Sequence, residues 1–157
     1  MARSDLMRLG EMRAAVTAGL EKALQAACAE LGPIPVLTHP GRFDMGELQR
    51  VALRAPCVLV TVLDVTGAQI AENVWLIAPR FGAYVLATDQ PGRRRDEIAL
   101  DLVARLYTKI IGSDWDEPAL FQPVLPENLR ADNLFFGQLD QKGVALWGLT
   151  WLQPLTL

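Results

Sequence analysis

The residues Cys57-Val58-Leu59-Val60-Thr61-Val62-Leu63 limit the fold more than any other part of the chain. They are rich in β-branched side chains and apolar at odd and even positions alike, so as a strand they present apolar surface on both faces of a sheet. The apolar run from Ala55 to Leu63 is far short of the ~20 residues a helix needs to cross a bilayer, so no membrane is expected as a partner. The run belongs in the middle of a sheet that other elements cover on both sides.

Two segments have the pattern needed to cover it. Leu9, Met12, Val16, Leu20, Ala23, Leu24, Ala27 and Leu31 recur at three- and four-residue steps, which predicts one amphipathic helix stopped by Gly32-Pro33. Ile98, Leu102, Val103, Leu106, Ile110 and Ile111 predict a second, ending at Gly112. Its other side carries Glu97, Asp101, Arg105 and Lys109, acid before base at four-residue intervals, the order that supports an exposed helix face.

The remaining strands are read from alternation and turn residues. A short strand is expected at Pro35–Thr38, and a weaker helix from about Asp44 to Arg54, ended by Pro56. Strands follow at Glu72–Ala78 and Arg80–Thr88 as a hairpin around Pro79, though proline sits awkwardly in a straight strand. Two closing strands, Asn128–Leu139 and Val144–Leu152, flank a hairpin loop at Asp140-Gln141-Lys142-Gly143. The fold class expected is α/β in the broad sense (α+β): a mixed, largely antiparallel sheet, two long amphipathic helices packed on it, and a C-terminal β-hairpin. With 157 residues and no long linker, the chain reads as a single domain over 1–157.

Composition narrows the function. The net charge of -3 gives no general drive toward DNA phosphates. Residues 1–16 mix acids and arginines and lack a signal peptide's apolar stretch, so export by that route is not expected. Cys28 and Cys57 read as buried thiols, with a disulfide between them as the alternative, and no CxxC or Cys/His cluster suggests zinc.

No chemistry-bearing constellation stands out, and no cofactor or metal is expected. The single histidine, His39, lies in a His39-Pro40-Gly41 turn without a serine or cysteine beside it. The acidic cluster Asp114, Asp116 and Glu117 lacks the spacing and glycine of a calcium loop, and reads as a solvated loop with Trp115 packed back onto the body. Arg93, Arg94 and Arg95 stand where the second helix begins, where the macrodipole disfavours positive charge. They fit a solvated turn, or a surface for an acidic partner or a nucleic-acid backbone. In the closing strand Val144, Leu146 and Leu152 share one face and Trp147, Leu149 and Trp151 the other. Trp147 and Trp151 are therefore core residues or anchors for a partner.

The first helix into Gly32-Pro33, Ala55-Pro56-Cys57-Val58-Leu59-Val60, Phe81-Gly82-Ala83-Tyr84-Val85-Leu86, Arg95-Asp96-Glu97-Ile98-Ala99-Leu100 and Gly143-Val144-Ala145-Leu146-Trp147-Gly148-Leu149-Thr150-Trp151 together resemble the Mu-like prophage proteins grouped with phage tail terminators. The resemblance implies a structural, non-enzymatic subunit that joins copies of itself into a hexameric ring. That ring caps the tail-tube protein, offers a surface to a head-completion or neck protein, and passes DNA without sequence-specific binding. It also implies location in the virion, and in the host cytoplasm during assembly. Two other functions remain beside it: a head-closure or neck connector, and a small enzyme using His39.

Overall fold

The computed structural model describes residues 2–25, 31–41, 44–118 and 121–156. Its elements in chain order are α1 (Ala2–Gln25), β1 (Val36–Thr38), α2 (Met45–Ala52), β2 (Cys57–Ala71), β3 (Val74–Thr88), α3 (Arg95–Ile110), β4 (Leu129–Asn133), α4 (Gly137–Gln141), β5 (Val144–Leu152) and β6 (Leu155–Thr156). The strands form one sheet in the order β1-β2-β3-β5-β4, with β6 beside the far part of β3. Only the β1–β2 pair is parallel. This is the mixed, largely antiparallel α+β architecture expected from the sequence.

The Cys57–Leu63 run lies inside the sheet, between β1 and β3. Its odd and even residues enter different cores, as period-two alternation requires. Val58 and Val60 join Val85, Ala87 and Leu149 under α1 and α3, whereas Cys57 and Leu59 join Leu86, Val144 and Leu146 under α2 and α4. Burial pushes the Cys57 thiol up to about 11 despite nearby Arg54. Cys28 lies in residues 26–30, outside the described residues, and the expected stop of the first helix, Gly32, has φ 74°.

Helix α1 buries Met12, Val16, Leu20 and Leu24, and α3 buries Ile98, Leu102, Leu106 and Ile110. Each such side chain contributes about 1.5–3 kcal/mol on burial. The Arg105–Asp101 pair on the outer side of α3, at 3.3 Å, belongs to a class worth roughly 0–1 kcal/mol. The apolar stripes therefore dock the helices, and the charges keep their backs in water.

Three expectations need correction. The segment around Pro79 is not a hairpin turn: β3 runs unbroken through it, and the turn is at Glu72-Asn73, where Asn73 has φ 59°. Pro79 is tolerated because β5 pairs with β3 only from Arg80 onward and β6 only at Leu76 and Ile77. The missing N–H thus falls in a gap of the ladder, while the Pro79 carbonyl accepts the Gln153 N–H at 3.0 Å. Second, β2 continues past Leu63 to Ala71. Third, the strand expected over Asn128–Leu139 ends at Asn133. The closing strands do pair antiparallel, but α4 is inserted between them.

Candidate interaction surface

The two faces of the sheet are covered unequally. One carries α1, of 24 residues, and α3, of 16. The other has only α2, of eight residues, and α4, of five. Between these short helices an apolar groove of about 640 Å³ stays open, lined by Leu48, Leu63, Tyr84, Leu134, Phe136 and Leu146 with Pro40 and Gly41 at one end.

Two glycines make the groove's floor. Tyr84 lies opposite Gly148 on β5 and two residues from Gly82 on its own strand. A Cβ on Gly82 would stand 2.9 Å from Tyr84 Cε2, and one on Gly148 would stand 2.8 Å from Leu134 Cδ1. Only glycine at both positions lets the Tyr84 ring and Leu134 lie down on the strands. Burial raises the Tyr84 phenol above its ordinary value, so it is neutral near pH 7. Around the groove, Phe135 is 71% exposed, Phe136 44%, Val65 45% and Leu63 37%. Adjacent exposed aromatics beside an apolar groove are the marks of a surface that another protein covers.

The triple arginine borders this region. Arg94 is the N-cap residue of α3 and has no acceptor side chain to give the helix. Asp89 supplies it, taking the Arg95 backbone N–H at 2.8 Å and the Arg95 guanidinium at 3.1 Å, while the same guanidinium reaches Asp140 of α4 at 3.0 Å. Chiefly through the backbone hydrogen bond, Asp89 titrates below the usual carboxylate range. Arg93 faces Asp101 at 3.7 Å and Arg94 faces Asp96 at 3.2 Å. Four aspartates thus compensate the charges that oppose the macrodipole. Arg94 and Arg95 also line a polar pocket of about 230 Å³ with Phe135, Phe136 and Trp147.

The two tryptophans part ways. Trp147 is half-buried and lines that pocket. Trp151 is fully buried, stacked on Phe81 with centroids 5.6 Å apart, and its indole N–H reaches Gln153 Oε1 at 3.3 Å. Gln153 is a buried hub that the sequence did not signal. Its Oε1 also accepts the Trp115 indole N–H at 2.7 Å, and its Nε2 donates to the carbonyls of Ser113 at 3.3 Å and Gln122 at 2.6 Å. Trp115 is accordingly packed onto the body, 6% exposed, between the exposed acids Asp116 and Glu117 and half-buried Asp114.

His39 is tied into its own segment. Its Nδ1 accepts the Gly41 N–H at 3.1 Å, and its Nε2 stands 3.7 Å from Glu47. Glu47 in turn closes the capping box of α2 with Asp44. Among the described residues no group of three or more His, Cys, Asp or Glu is placed to hold a metal ion, and no helix is long and apolar enough to cross a membrane.

Fold and surface together define an α+β protein with one face of its sheet sealed by helices and the other left apolar and open. The chain is similar to a prophage protein, the Mu-like prophage FluMu protein gp37 of Haemophilus influenzae, with 27% identity over 121 residues. The match covers 75% of this chain and 58% of that protein, so it reaches little more than half of the relative's length. No family model matches the chain.

Proposed function

We propose that the chain is a structural phage morphogenesis protein, a tail terminator whose copies form a ring that caps the tail tube and presents the head-joining surface. The observation that carries this is the open apolar groove lined by Phe136, with exposed Phe135 next to it in the chain, in a chain similar to a Mu-like prophage protein. A monomer that leaves such a face in water is incomplete, and covering it with protein is the ordinary remedy. Six copies is the ring size the resemblance implies. In this reading the protein acts by stoichiometric binding at the tube end, with no residue performing a reaction, and resides in the virion after assembly in the host cytoplasm.

The test is electron microscopy of phage lacking the gene. Overlong or unjoined tails are expected. Tails of normal length that fail only to attach to heads would refute the terminator role in favour of a neck or head-closure connector. Fully normal particles would refute both.

A further inference from the structure

We propose that the β2–β3 hairpin of one copy lies in the apolar groove of a second copy, with Glu72 at its turn meeting Arg50 and Arg54. This rests on the reading that the chain works by assembling with itself, and names the segment and groove that do it.

The hairpin outgrows the sheet. β1 pairs with β2 only at Val58–Val60, and β5 pairs with β3 only as far as Arg80. Beyond those points β2 and β3 continue to Ala71 and Val74 with no further neighbour except β6, at Leu76 and Ile77. At ~3.3 Å per residue the arm reaches roughly 30 Å from its root. The outer edge of β2 along it offers unpaired backbone groups, a template for contact with another chain.

Charge says where the arm goes. Between Val65 and Pro79 the only charged residue is Glu72, which is exposed at the turn and has no ion pair among the described residues. Arg80, Arg93, Arg94, Arg95, Arg105 and Arg130 each pair with an aspartate at 3.7 Å or less. Arg50 and Arg54 do not: both are exposed and have no carboxylate partner among the described residues. They line a shallow pocket with His39, Pro40 and Glu47, whose carboxylate faces His39 at 3.7 Å, and Pro40 also lines the apolar groove. Beside the groove there are therefore two arginines against one glutamate, neither arginine in an ion pair among the described residues, and the weakly charged arm ends in one unpaired carboxylate.

The arm does not fill the groove of its own molecule, because Leu63 at its root is part of the groove wall and the strands lead outward from there. Between two copies the contact joins different patches, and such a heterologous contact closes into a ring when its rotation closes.

Mass in solution, by light scattering on a sizing column, tests the contact for the wild type, Glu72→Arg, and Arg50→Glu with Arg54→Glu. Placing like charges across the contact is expected to weaken association at least about tenfold in each variant, giving monomer where the wild type is assembled. An equimolar mixture of the two variants pairs every arm with a groove of opposite charge and is expected to recover the wild-type mass, which also shows that both are folded. Variants that keep the wild-type mass, a mixture that stays monomeric, or a wild type that is monomeric at high concentration would each overturn the proposal. A wild-type ring insensitive to these changes leaves self-assembly standing and refutes only the arm contact. The terminator role is judged separately, by tail length in the deletion phage.

Discussion

Two glycines of α1 respond oppositely to the same substitution. Alanine is favoured over glycine inside a helix by about 0.5–1 kcal/mol, because glycine loses more backbone freedom on folding. Gly10 is exposed and a Cβ there meets nothing within 4 Å, so Gly10→Ala should gain roughly that amount. At Gly19 a Cβ would stand 2.6 Å from Cε3 and 2.9 Å from Cζ3 of Trp115. The indole cannot swing away cheaply: it is 6% exposed, packed 6.3 Å from Trp151, and held by its hydrogen bond to Gln153. Overpacking of this kind costs about 1–3 kcal/mol, which exceeds the propensity gain. The propensity gain is common to both variants, so they should differ by the overpacking cost, roughly 1–3 kcal/mol, with wild type between them. Urea unfolding followed by tryptophan emission, at one protein concentration so that association does not enter, reads this as a shift of midpoint at constant slope. A Gly19→Ala protein as stable as Gly10→Ala would refute the packing of α1 against the Trp115 loop.

Gln153→Leu should cost about 4 kcal/mol or more, since it strands two indole donors and two carbonyls at roughly 1–3 kcal/mol per buried unsatisfied group; a loss below about 1 kcal/mol in thermal unfolding would remove Gln153 from its role as hub. Asp89→Asn should lower stability at neutral pH. Because the folded carboxyl titrates below its unfolded value of about 3.9, the advantage of wild type is present above that pH and fades as pH falls through the lower folded value. A stability gap between the two proteins that stays constant from neutral pH down to about 3 would sink this account.

How much of the fold was legible follows from what burial imposes on a sequence. The stripes of α1 and α3 and the run from Cys57 to Val60 are legible because their side chains sit in sealed cores, where every apolar position is forced. The arm is not, because residues Leu63 to Gly67 are exposed on both faces, and the brief alternation of Leu63-Asp64-Val65-Thr66 is lost in the small and polar residues that follow. Pro79 misleads for a related reason: its tolerance depends on a gap between β5 and β6, which no local pattern records. Of the surface residues that the sequence singles out, Arg94, Arg95 and Trp147 line the polar pocket, while Phe135 and Phe136 fall inside an expected strand. Their adjacency was a usable signal, since neighbouring aromatics in a strand point to opposite faces and one of them needs a second cover. Arg50, Arg54 and Glu72 carry no signal by themselves; they stand out only once two are seen beside the groove and the third at the tip of the arm.

The place of β5 in the sheet also sets an order of events. It lies between β3 and β4 but follows both in the chain, and it is the only sheet neighbour of β4. Until residues 144–152 have emerged from the ribosome, the inner edge of β3 is open and β4 has nothing to pair with. A product cut short before Val144 therefore cannot close its sheet or bring Gln153 to the Trp115 loop. Truncated copies are left as unclosed chains for proteases to clear, so the last strand to be made decides whether any of the earlier ones persist.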